Sequence, residues 1–316
     1  MRVSVIIPNW NGARLLGMCL DSLARSDFDD FETFVIDNGS EDISCALIRE
    51  RYPHVRLIRL DRNYGFAPAC NEGIRASRGE FVVLLNNDIE VASGWLGELV
   101  AGMDRHPECA LGASRMMYRD SRAVFCNAGD GLLPWGAGQA RGEGEVDRGQ
   151  YDREEEIPGV CAGAAIYRRT LFEDIGLFDE RFHSLVEDVD LNFRARLAGH
   201  AAWYFPEARV YHIGSATLGR YSDRYVYQAH RNEWFVLLKN LPFGLFLKHL
   251  AGIFRSQIRS TLYFSQRGQG GLLFKAKLDA LRNLTGMARN RHKIQSERRI
   301  SNTRLERWMQ QTGGAK

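Results

Sequence analysis

The chain has 316 residues, of which 45% are hydrophobic and 26% charged, which is typical of a globular protein with two domains or one large one. Six cysteines are scattered without a Cys-x-x-Cys pair, a pattern that favours buried thiols in a reducing compartment over a disulfide framework or a zinc site. The net charge of +3 hides an asymmetry, because 16 lysines and arginines but only three acidic residues follow from Lys239 onward, about +13 against about −10 before it.

The first hundred residues alternate short apolar strands with amphipathic helices. Apolar runs predict strands at Val3–Pro8, Phe34–Asp37, Val55–Leu60 and Phe81–Leu85. Helical spacing predicts helices at Ala13–Arg25, Asp42–Arg51 and Ala67–Ser77. Strand–helix–strand units in succession predict an α/β fold with a mostly parallel sheet that helices cover on both faces.

The N-terminus enters the first predicted strand with no charged segment and no cleavage site, and no stretch reaches 18 uninterrupted apolar residues. We therefore expect no signal peptide, no transmembrane helix and a cytoplasmic protein.

The composition changes between Asp120 and Pro158, where glycine, acidic residues and arginine dominate. We interpret this segment as a long irregular loop. Loops of that length inside a domain are usually functional lids or binding loops, and a surface insertion is the alternative. Order resumes after Gly159, with a helix predicted at Glu187–Ala198 that Gly199 closes.

Polar residues follow each of the four predicted strands. They are Asn9-Trp10-Asn11-Gly12, Asp37-Asn38-Gly39-Ser40, Asp61-Arg62-Asn63 and Asn86-Asn87-Asp88. Turn chemistry explains any one of these groups, because Asn, Asp and Gly favour turns. All four together favour a polar ligand site, because ligands of open parallel sheets bind beyond the carboxyl ends of the strands.

Asp88 is a candidate anchor for a divalent cation. No lysine, and hence no Gly-x-x-x-x-Gly-Lys loop, occurs before Lys239, and no Gly-x-Gly-x-x-Gly follows the first strand. If the ligand carries a pyrophosphate, a metal held by a carboxylate is the economical way to neutralise it.

Four sequence pieces resemble the family 2 inverting glycosyltransferases in order and spacing. They are Val-Ile-Ile-Pro-Asn-Trp-Asn-Gly, Val-Ile-Asp-Asn-Gly-Ser-Glu-Asp, Arg-Asn-Tyr-Gly-Phe-Ala and Leu-Leu-Asn-Asn-Asp-Ile-Glu. The resemblance covers roughly residues 2–240, and the branch it resembles most includes bacterial rhamnosyltransferases of surface polysaccharide assembly. It implies a GT-A fold, in which a nucleotide-binding half joins an acceptor-binding half.

The resemblance also implies roles for individual residues on the donor side. Asp37 would bind the nucleotide base. Asp88 would be the last carboxylate of an Asp-x-Asp motif whose first Asp is replaced by Asn86, and His212 would complete a Mg²⁺ or Mn²⁺ site. A lone histidine is otherwise more often structural. The remaining donor-binding positions implied by the resemblance are Pro8, Asn9, Asn11, Asn38, Asn63, Gly65, Phe66, Asn71 and Asn87.

On the acceptor side, the run Glu187-Asp188-Val189-Asp190 resembles the family's Glu-Asp motif. Asp188 would be the catalytic base and Glu187 its neighbour, although acidic residues are common in a first helical turn because they favour the helix dipole. Gly163 and Ala164 would let the acceptor approach the backbone. Trp203 would stack on sugar, unless it is a core residue.

The residues from Leu241 onward read as helices with basic faces. In Leu247–Leu262 an apolar stripe lies beside Lys248, Arg255 and Arg259. A basic amphipathic helix suits an anionic membrane surface, and a helix packed on the body with its charges in solvent is the alternative. A further alternative is that the basic residues pair with the acidic part of the protein, either within one chain or across a homo-oligomer.

These observations predict a metal-dependent inverting glycosyltransferase. It would move rhamnose or another hexose from a dTDP- or UDP-sugar to a glycan or lipid-linked glycan acceptor, with no nucleic-acid partner, in the cytoplasm or at the inner face of the membrane. Residues 1–118 would bind the donor, 119–240 the acceptor, and 241–316 would form the tail. The alternatives are a sugar nucleotidyltransferase and a non-catalytic nucleotide-sugar binder.

Overall fold

A computed structural model describes residues 1–214, 219 and 221–310. The strands are β1 (Val3–Asn9), β2 (Phe31–Asp37), β3 (Arg56–Arg59), β4 (Phe81–Leu85), β5 (Ile89–Val91), β6 (Cys109–Tyr118), β7 (Ser121–Asn127), β8 (Asp130–Leu132), β9 (Gly138–Ala140), β10 (Glu155–Glu156), β11 (Ala164–Arg168) and β12 (Ala201–His212). The helices are α1 (Ala13–Leu23), α2 (Ser44–Arg51), α3 (Phe66–Ala76), α4 (Trp95–Arg105), α5 (Arg169–Ile175), α6 (Glu187–Leu197), α7 (Asp223–Asn240), α8 (Phe243–Gln266), α9 (Gly270–Arg282), α10 (Leu284–Ser296) and α11 (Asn302–Gln310).

One sheet of ten strands organises the described residues, in the order β10-β12-β6-β11-β4-β1-β2-β3, with β5 pairing with β12 and β7 with β6. β4, β1, β2 and β3 are parallel, and β12 runs parallel to β6. β11 is antiparallel to both of its neighbours. The predicted mostly parallel α/β sheet is confirmed, and the carboxyl ends of β4, β1 and β2 lie side by side.

Helices cover both faces of this sheet, as the continuous apolar strands require. Successive residues of β1 alternate between two buried clusters, with Val5 and Ile7 on one face and Ile6 on the other. α1 and α4 pack on the first face, and α3, α5 and α6 on the second. Every residue of β4 is fully buried.

The glycine-rich segment 120–158 is not the irregular loop that its composition predicts. β7 pairs with the edge of β6, β8 and β9 form a hairpin, and β10 pairs with β12. Arg115 anchors the segment, since its guanidinium donates to Asp152 at 2.7 Å and to Asp147. The glycines provide turns between short strands, and several have positive φ.

The tail packs on the body through one set of faces. Its buried side chains join those of α6 and α7 in a third apolar cluster. Lys239 is part of this contact, because its ammonium lies 2.8 Å from both Asp179 and Asp190 in a buried position. Lys239 therefore forms an internal ion pair just before the tail begins. Residues 311–316 of the predicted tail lie outside the described residues. Among the described residues, no helix is long and apolar enough to span a membrane.

Candidate active site

A cleft of about 350 Å³ opens where the strand ends meet. Its first wall, which is the donor side that the resemblance implies, comes from the ends of β1 and β2 and the residues after β3, and its floor from the turn between β4 and β5. The loop before β11 and the start of α6 form the opposite wall. Twelve sequence-predicted residues line it: Pro8, Asn9, Asn38, Asn63, Phe66, Asn86, Asn87, Asp88, Gly163, Glu187, Asp188 and His212.

A buried chain of amides links three strand ends on the donor side. The Asn87 side chain donates to Asn9 Oδ1 at 2.7 Å, and Asn9 Nδ2 donates to Asp37 Oδ1 at 3.3 Å. Asp37 Oδ2 accepts from the Ser40 backbone N–H at 3.1 Å. Asp37 is fully buried and does not line the cleft. Its carboxylate orients Asn9 and the β2 turn, and the base contact that the resemblance implies stays a prediction.

Asn38 organises the neighbouring loop. Its Nδ2 donates to Asn63 Oδ1 at 3.1 Å and to the Gly65 carbonyl at 2.9 Å, and its Oδ1 accepts from the Tyr64 N–H at 2.9 Å. Gly65 has φ of 100°, and a Cβ there would lie 2.4 Å from the His183 carbonyl oxygen. Only glycine therefore allows this loop to approach the opposite wall, so that Phe66 can begin α3 at the cleft.

Asp88 and His212 meet on the floor. The Asp88 carboxyl is buried, and its Oδ1 lies 3.3 Å from His212 Nε2 without completing a hydrogen bond. Burial opposes a charge on His212, but Asp88 and the Cys126 thiol outweigh it and raise the pKa of the imidazole to about 10. A buried carboxylate oxygen without a hydrogen bond, next to an imidazole, fits an oxygen-seeking divalent cation.

Asp188 lies on the opposite wall in the first turn of α6. Its Oδ1 accepts from the Val189 N–H at 2.8 Å and its Oδ2 from the Ala162 N–H at 3.3 Å. Burial raises the pKa of Asp188, and these backbone donors limit the rise. Burial and the charge of Asp188 raise the pKa of Glu187 well above its ordinary value. Glu187 Oε2 is buried without a hydrogen-bond partner among the described residues.

Asp130 and Cys161 join Asp188 in a cluster whose potential ligand atoms all lie within 4.8 Å of one another. Burial and the charge of Asp188 raise the pKa of Asp130 to about 8. Burial and both carboxyls raise the pKa of the Cys161 thiol well above its ordinary value. A cysteine thiol is a softer ligand than Mg²⁺ or Mn²⁺ prefers, so Asp88 and His212 fit such a cation better than this cluster does.

Comparison with known sequences identifies the family. The sequence profile of Glycosyl transferase family 2 matches residues 4–176, which include the donor wall, the floor and β11. The chain belongs to glycosyl transferase family 2. It has the GT-A fold, and membership of this family favours sugar transfer over the alternatives of a sugar nucleotidyltransferase and a non-catalytic binder.

Curated relatives include the N-acetylglucosaminyl-diphospho-decaprenol L-rhamnosyltransferase of Mycobacterium tuberculosis, 26% identical over 82% of this chain and 88% of that protein. The O-antigen biosynthesis protein RfbC of Myxococcus xanthus is 28% identical over 68% of this chain. The chain spans only 18% of the length of RfbC. It spans 25% of the length of another relative, the protein y4gI of Sinorhizobium fredii.

Two solved structures share the fold. Staphylococcus aureus TarS 1-349 in complex with UDP-GlcNAc has a TM-score of 0.60 at 20% identity, over 94% of this chain and 91% of that one. The mannosyltransferase PcManGT of Pyrobaculum calidifontis, in complex with GDP-Man and Mn²⁺, has a TM-score of 0.55 at 18% identity, over 99% and 84%.

Four further sequence-predicted residues do not reach the cleft of this glycosyltransferase. Asn71 is buried with its amide bonded to Phe178 and Glu180, so it fastens α3 to the segment before α6. Trp203 lies in β12 and stacks on His106 with ring centroids 3.6 Å apart. Ala164 is buried in β11. Asn11 accepts from the Glu41 N–H at 2.8 Å in the adjoining turn.

The wall segment 183–186 was not predicted from the sequence. His183, Leu185 and Val186 all have positive φ, a conformation that residues other than glycine adopt at a cost. The fully buried Asn232 on α7 restrains the segment, because its Nδ2 donates to the carbonyls of Phe182, Ser184 and Leu185 at 2.6 to 3.0 Å.

We expect Asn232→Ala to lower kcat by about 10²-fold, because the loop that leads into Asp188 would lose its three-point restraint and this carboxylate, the predicted base, would shift from its position. Donor affinity should change little, since Asn232 does not line the cleft. Steady-state kinetics and nucleotide titration measure the two effects. Asn283→Ala is the matched control, because its amide donates only to one exposed carbonyl. Loss of thermal stability with unchanged kcat would contradict the positioning role.

α7 adds Arg224 and Tyr225 to the rim of the cleft, and neither residue was predicted from the sequence. The Arg224 guanidinium is exposed and lies 5.7 Å from the ring centre of Trp10 on the donor wall. Arg224 is thus a cationic side chain that can reach a ligand in the cleft. The sequence argument had considered only lysine, which does not occur before Lys239.

Proposed function

We propose that this glycosyltransferase inverts the anomeric configuration of a hexose as it moves it from a nucleoside diphosphate to an acceptor hydroxyl. The observation that carries the proposal is the position of Asp188, whose partly exposed carboxyl faces the cleft opposite the donor-side strand ends. A base on the acceptor side of the sugar is what a single in-line displacement needs.

The reaction forms one bond as it breaks another. The acceptor oxygen attacks the anomeric carbon while Asp188 takes the hydroxyl proton. The bond from that carbon to the diphosphate oxygen breaks, and the nucleoside diphosphate leaves with the electron pair. Because the attack comes from the face opposite the leaving group, the product has the inverted configuration. The raised pKa of Glu187 favours the protonated form of this carboxyl, which limits the negative charge beside Asp188.

Asp88 and His212 are the residues that would hold a divalent cation, Mg²⁺ or Mn²⁺. Such a cation, when bound, supplies positive charge to the departing diphosphate. Arg224 offers a second positive group from the rim, and Asn9 and Asn38 offer a preorganised polar wall for the nucleoside. The Mn²⁺ bound by PcManGT supports this part of the proposal through the shared fold.

The donor and acceptor classes rest on the relatives. A relative that matches over most of both chains is a rhamnosyltransferase with a lipid-diphosphate-linked acceptor, and RfbC belongs to O-antigen biosynthesis. We therefore propose a dTDP- or UDP-hexose donor, rhamnose first, and a lipid-linked glycan acceptor in bacterial surface polysaccharide assembly. Such an acceptor places the enzyme at a membrane.

Incubation with dTDP-rhamnose, UDP-N-acetylglucosamine or GDP-mannose and a lipid-diphosphate N-acetylglucosamine acceptor tests the proposal. We expect one donor to yield nucleoside diphosphate and glycosylated lipid in equal amounts. NMR of the product should show that the anomeric configuration is inverted relative to the donor. A mixture without acceptor is the control. A product of retained configuration would contradict Asp188 as a single base, and nucleotide release without a glycosylated product would contradict transfer to this acceptor.

A further inference from the structure

The outer face of α8 is an exposed apolar stripe. Phe243, Leu247, Phe254, Ile258 and Leu262 have between 53% and 66% of their surface exposed, and their spacing places them along about 29 Å of helix. The opposite side of α8 packs on the body through Leu245, Ile253 and Phe264. A contiguous apolar surface of this length on a globular protein marks an interaction site.

A groove of about 340 Å³ runs beside this stripe, bounded by α7, α8 and α9. Its walls are apolar, with Trp234, Leu250 and Ile258 among them. The polar groups at its edge are bonded to each other, since Trp234 Nε1 donates to Gln257 at 3.2 Å and Lys277 Nζ donates to Thr261 at 2.9 Å. The groove therefore has the shape and polarity for a hydrocarbon chain rather than for a polar ligand.

Basic residues flank the stripe. Arg255 and Arg259 are exposed and form no ion pair with the described residues. α8, α9 and α10 together contain nine lysines and arginines and a single acidic residue, Asp279. That carboxylate is bonded to Tyr227 and Arg282. The residues before Lys239 have a net charge of about −10, so this face is the part of the molecule that an anionic surface attracts.

The stripe ends beside the active site. Tyr225 lines the cleft, and its ring centre lies 6.2 Å from that of Tyr221. Tyr221 in turn lies 6.4 Å from Tyr263 and 6.2 Å from Phe264, ring centre to ring centre, near the C-terminal end of α8. An apolar surface that contacts α8 along its length therefore reaches the rim of the cleft.

We propose that the outer face of α8, the adjoining groove and the flanking arginines form a docking surface for an anionic lipid bilayer. The apolar side chains enter the boundary between headgroups and acyl chains, one acyl chain occupies the groove, and Arg255 and Arg259 contact lipid phosphates. A second copy of the chain is the weaker occupant, because a two-fold contact of this face with itself would oppose like charges. The proposal does not depend on which sugar is transferred.

Co-sedimentation of the full chain with vesicles tests this surface. We expect binding to vesicles that contain phosphatidylglycerol, weaker binding to phosphatidylcholine alone, and loss of binding at high salt, where charges are screened over a few ångströms. Ile258→Glu should weaken binding by about tenfold or more. Its matched control is Ile43→Glu on the body, where the isoleucine is 71% exposed.

The charge contribution is tested separately. Arg255→Gln with Arg259→Gln should weaken binding to anionic vesicles by about 10- to 30-fold. Arg25→Gln with Arg49→Gln, two exposed arginines on the body without a described ion pair, should bind as the unchanged protein does. Equal loss in both double variants would overturn a role for this face. If the protein does not bind vesicles but forms a dimer, and Ile258→Glu dissociates that dimer, the bilayer would be overturned as the occupant of this face.

Transfer to a water-soluble acceptor analogue separates this proposal from that of sugar transfer. Ile258→Glu should retain this activity, because Ile258 does not line the cleft, while transfer to acceptor embedded in vesicles should fall with vesicle binding. Equal loss of both activities would show that the substitution acts through the fold and would overturn the docking role of Ile258.

Discussion

Asp188→Asn is expected to lower kcat by about 10³-fold and to leave the affinity for nucleoside diphosphate within about twofold. The amide has the size of the carboxyl and can still accept from the Val189 N–H, so the start of α6 should hold. It has no lone pair basic enough to take the acceptor proton. Single-turnover transfer and nucleotide titration by calorimetry measure the two quantities independently.

The pH profile adds a second readout for Asp188. A base must be deprotonated, and burial raises the pKa of this carboxyl, so kcat should fall on the acidic side at a higher pH than an exposed aspartate would give. Asp120→Asn, an exposed carboxyl without a described partner, is the control and should retain both rate and profile. If Asp130→Asn instead abolished transfer while Asp188→Asn retained its rate, Asp130 rather than Asp188 would be the base.

The parallel half of the fold could be predicted because its signal is local. A strand buried on both faces must be apolar at every position, as Phe81–Leu85 is, and α1 and α3 show helical spacing over three turns. The predicted ends of most of these strands and helices differ from the observed ends by one to three residues. Once the strands are parallel, their carboxyl ends meet, which is why the cleft could be located before its walls were known.

The segment 120–158 could not be predicted in this way because its structure is not local. β10 is two residues long and pairs with β12, where Glu155 faces Tyr204, 49 residues further on. Strands this short have no periodicity to read, and glycine indicates only where turns occur. Asp130 at the start of β8 was missed for the same reason, since its approach to Asp188 depends on the β8–β9 hairpin and on a bridge to Gly159.

Individual donor-side roles were harder to predict than the site. Asp37 follows a strand as a ligand-binding residue would, but its carboxylate faces Asn9 and Ser40. Asn71 faces a segment 107 residues away. Position in the sequence shows which strand end a residue follows, while the direction of its side chain depends on neighbours that only folding supplies. Asn232 shows the converse, a residue whose role became clear only from its three hydrogen bonds.

Asp88→Ala is expected to abolish transfer, with at least about a 10³-fold loss, and to remove the Mn²⁺ dependence of nucleoside diphosphate binding. Asp88 supplies the buried carboxylate oxygen that lacks a hydrogen bond, and no lysine precedes Lys239 to take over its charge. Calorimetric titration of the nucleotide with and without Mn²⁺ measures the dependence, and Asp120→Ala is the control. Full activity in the presence of a chelator, or an active Asp88→Ala enzyme, would contradict this metal site.

The same site predicts how cation affinity depends on pH. His212 has a pKa raised to about 10 by its contacts with Asp88 and Cys126, so at neutral pH it is protonated and a cation must displace that proton. Affinity for Mn²⁺ with saturating nucleotide should therefore rise by about tenfold for each pH unit between about pH 6 and 8. His212→Asn should bind Mn²⁺ more weakly and without this slope. A slope that persists in His212→Asn would assign the proton to another group and remove His212 from the site.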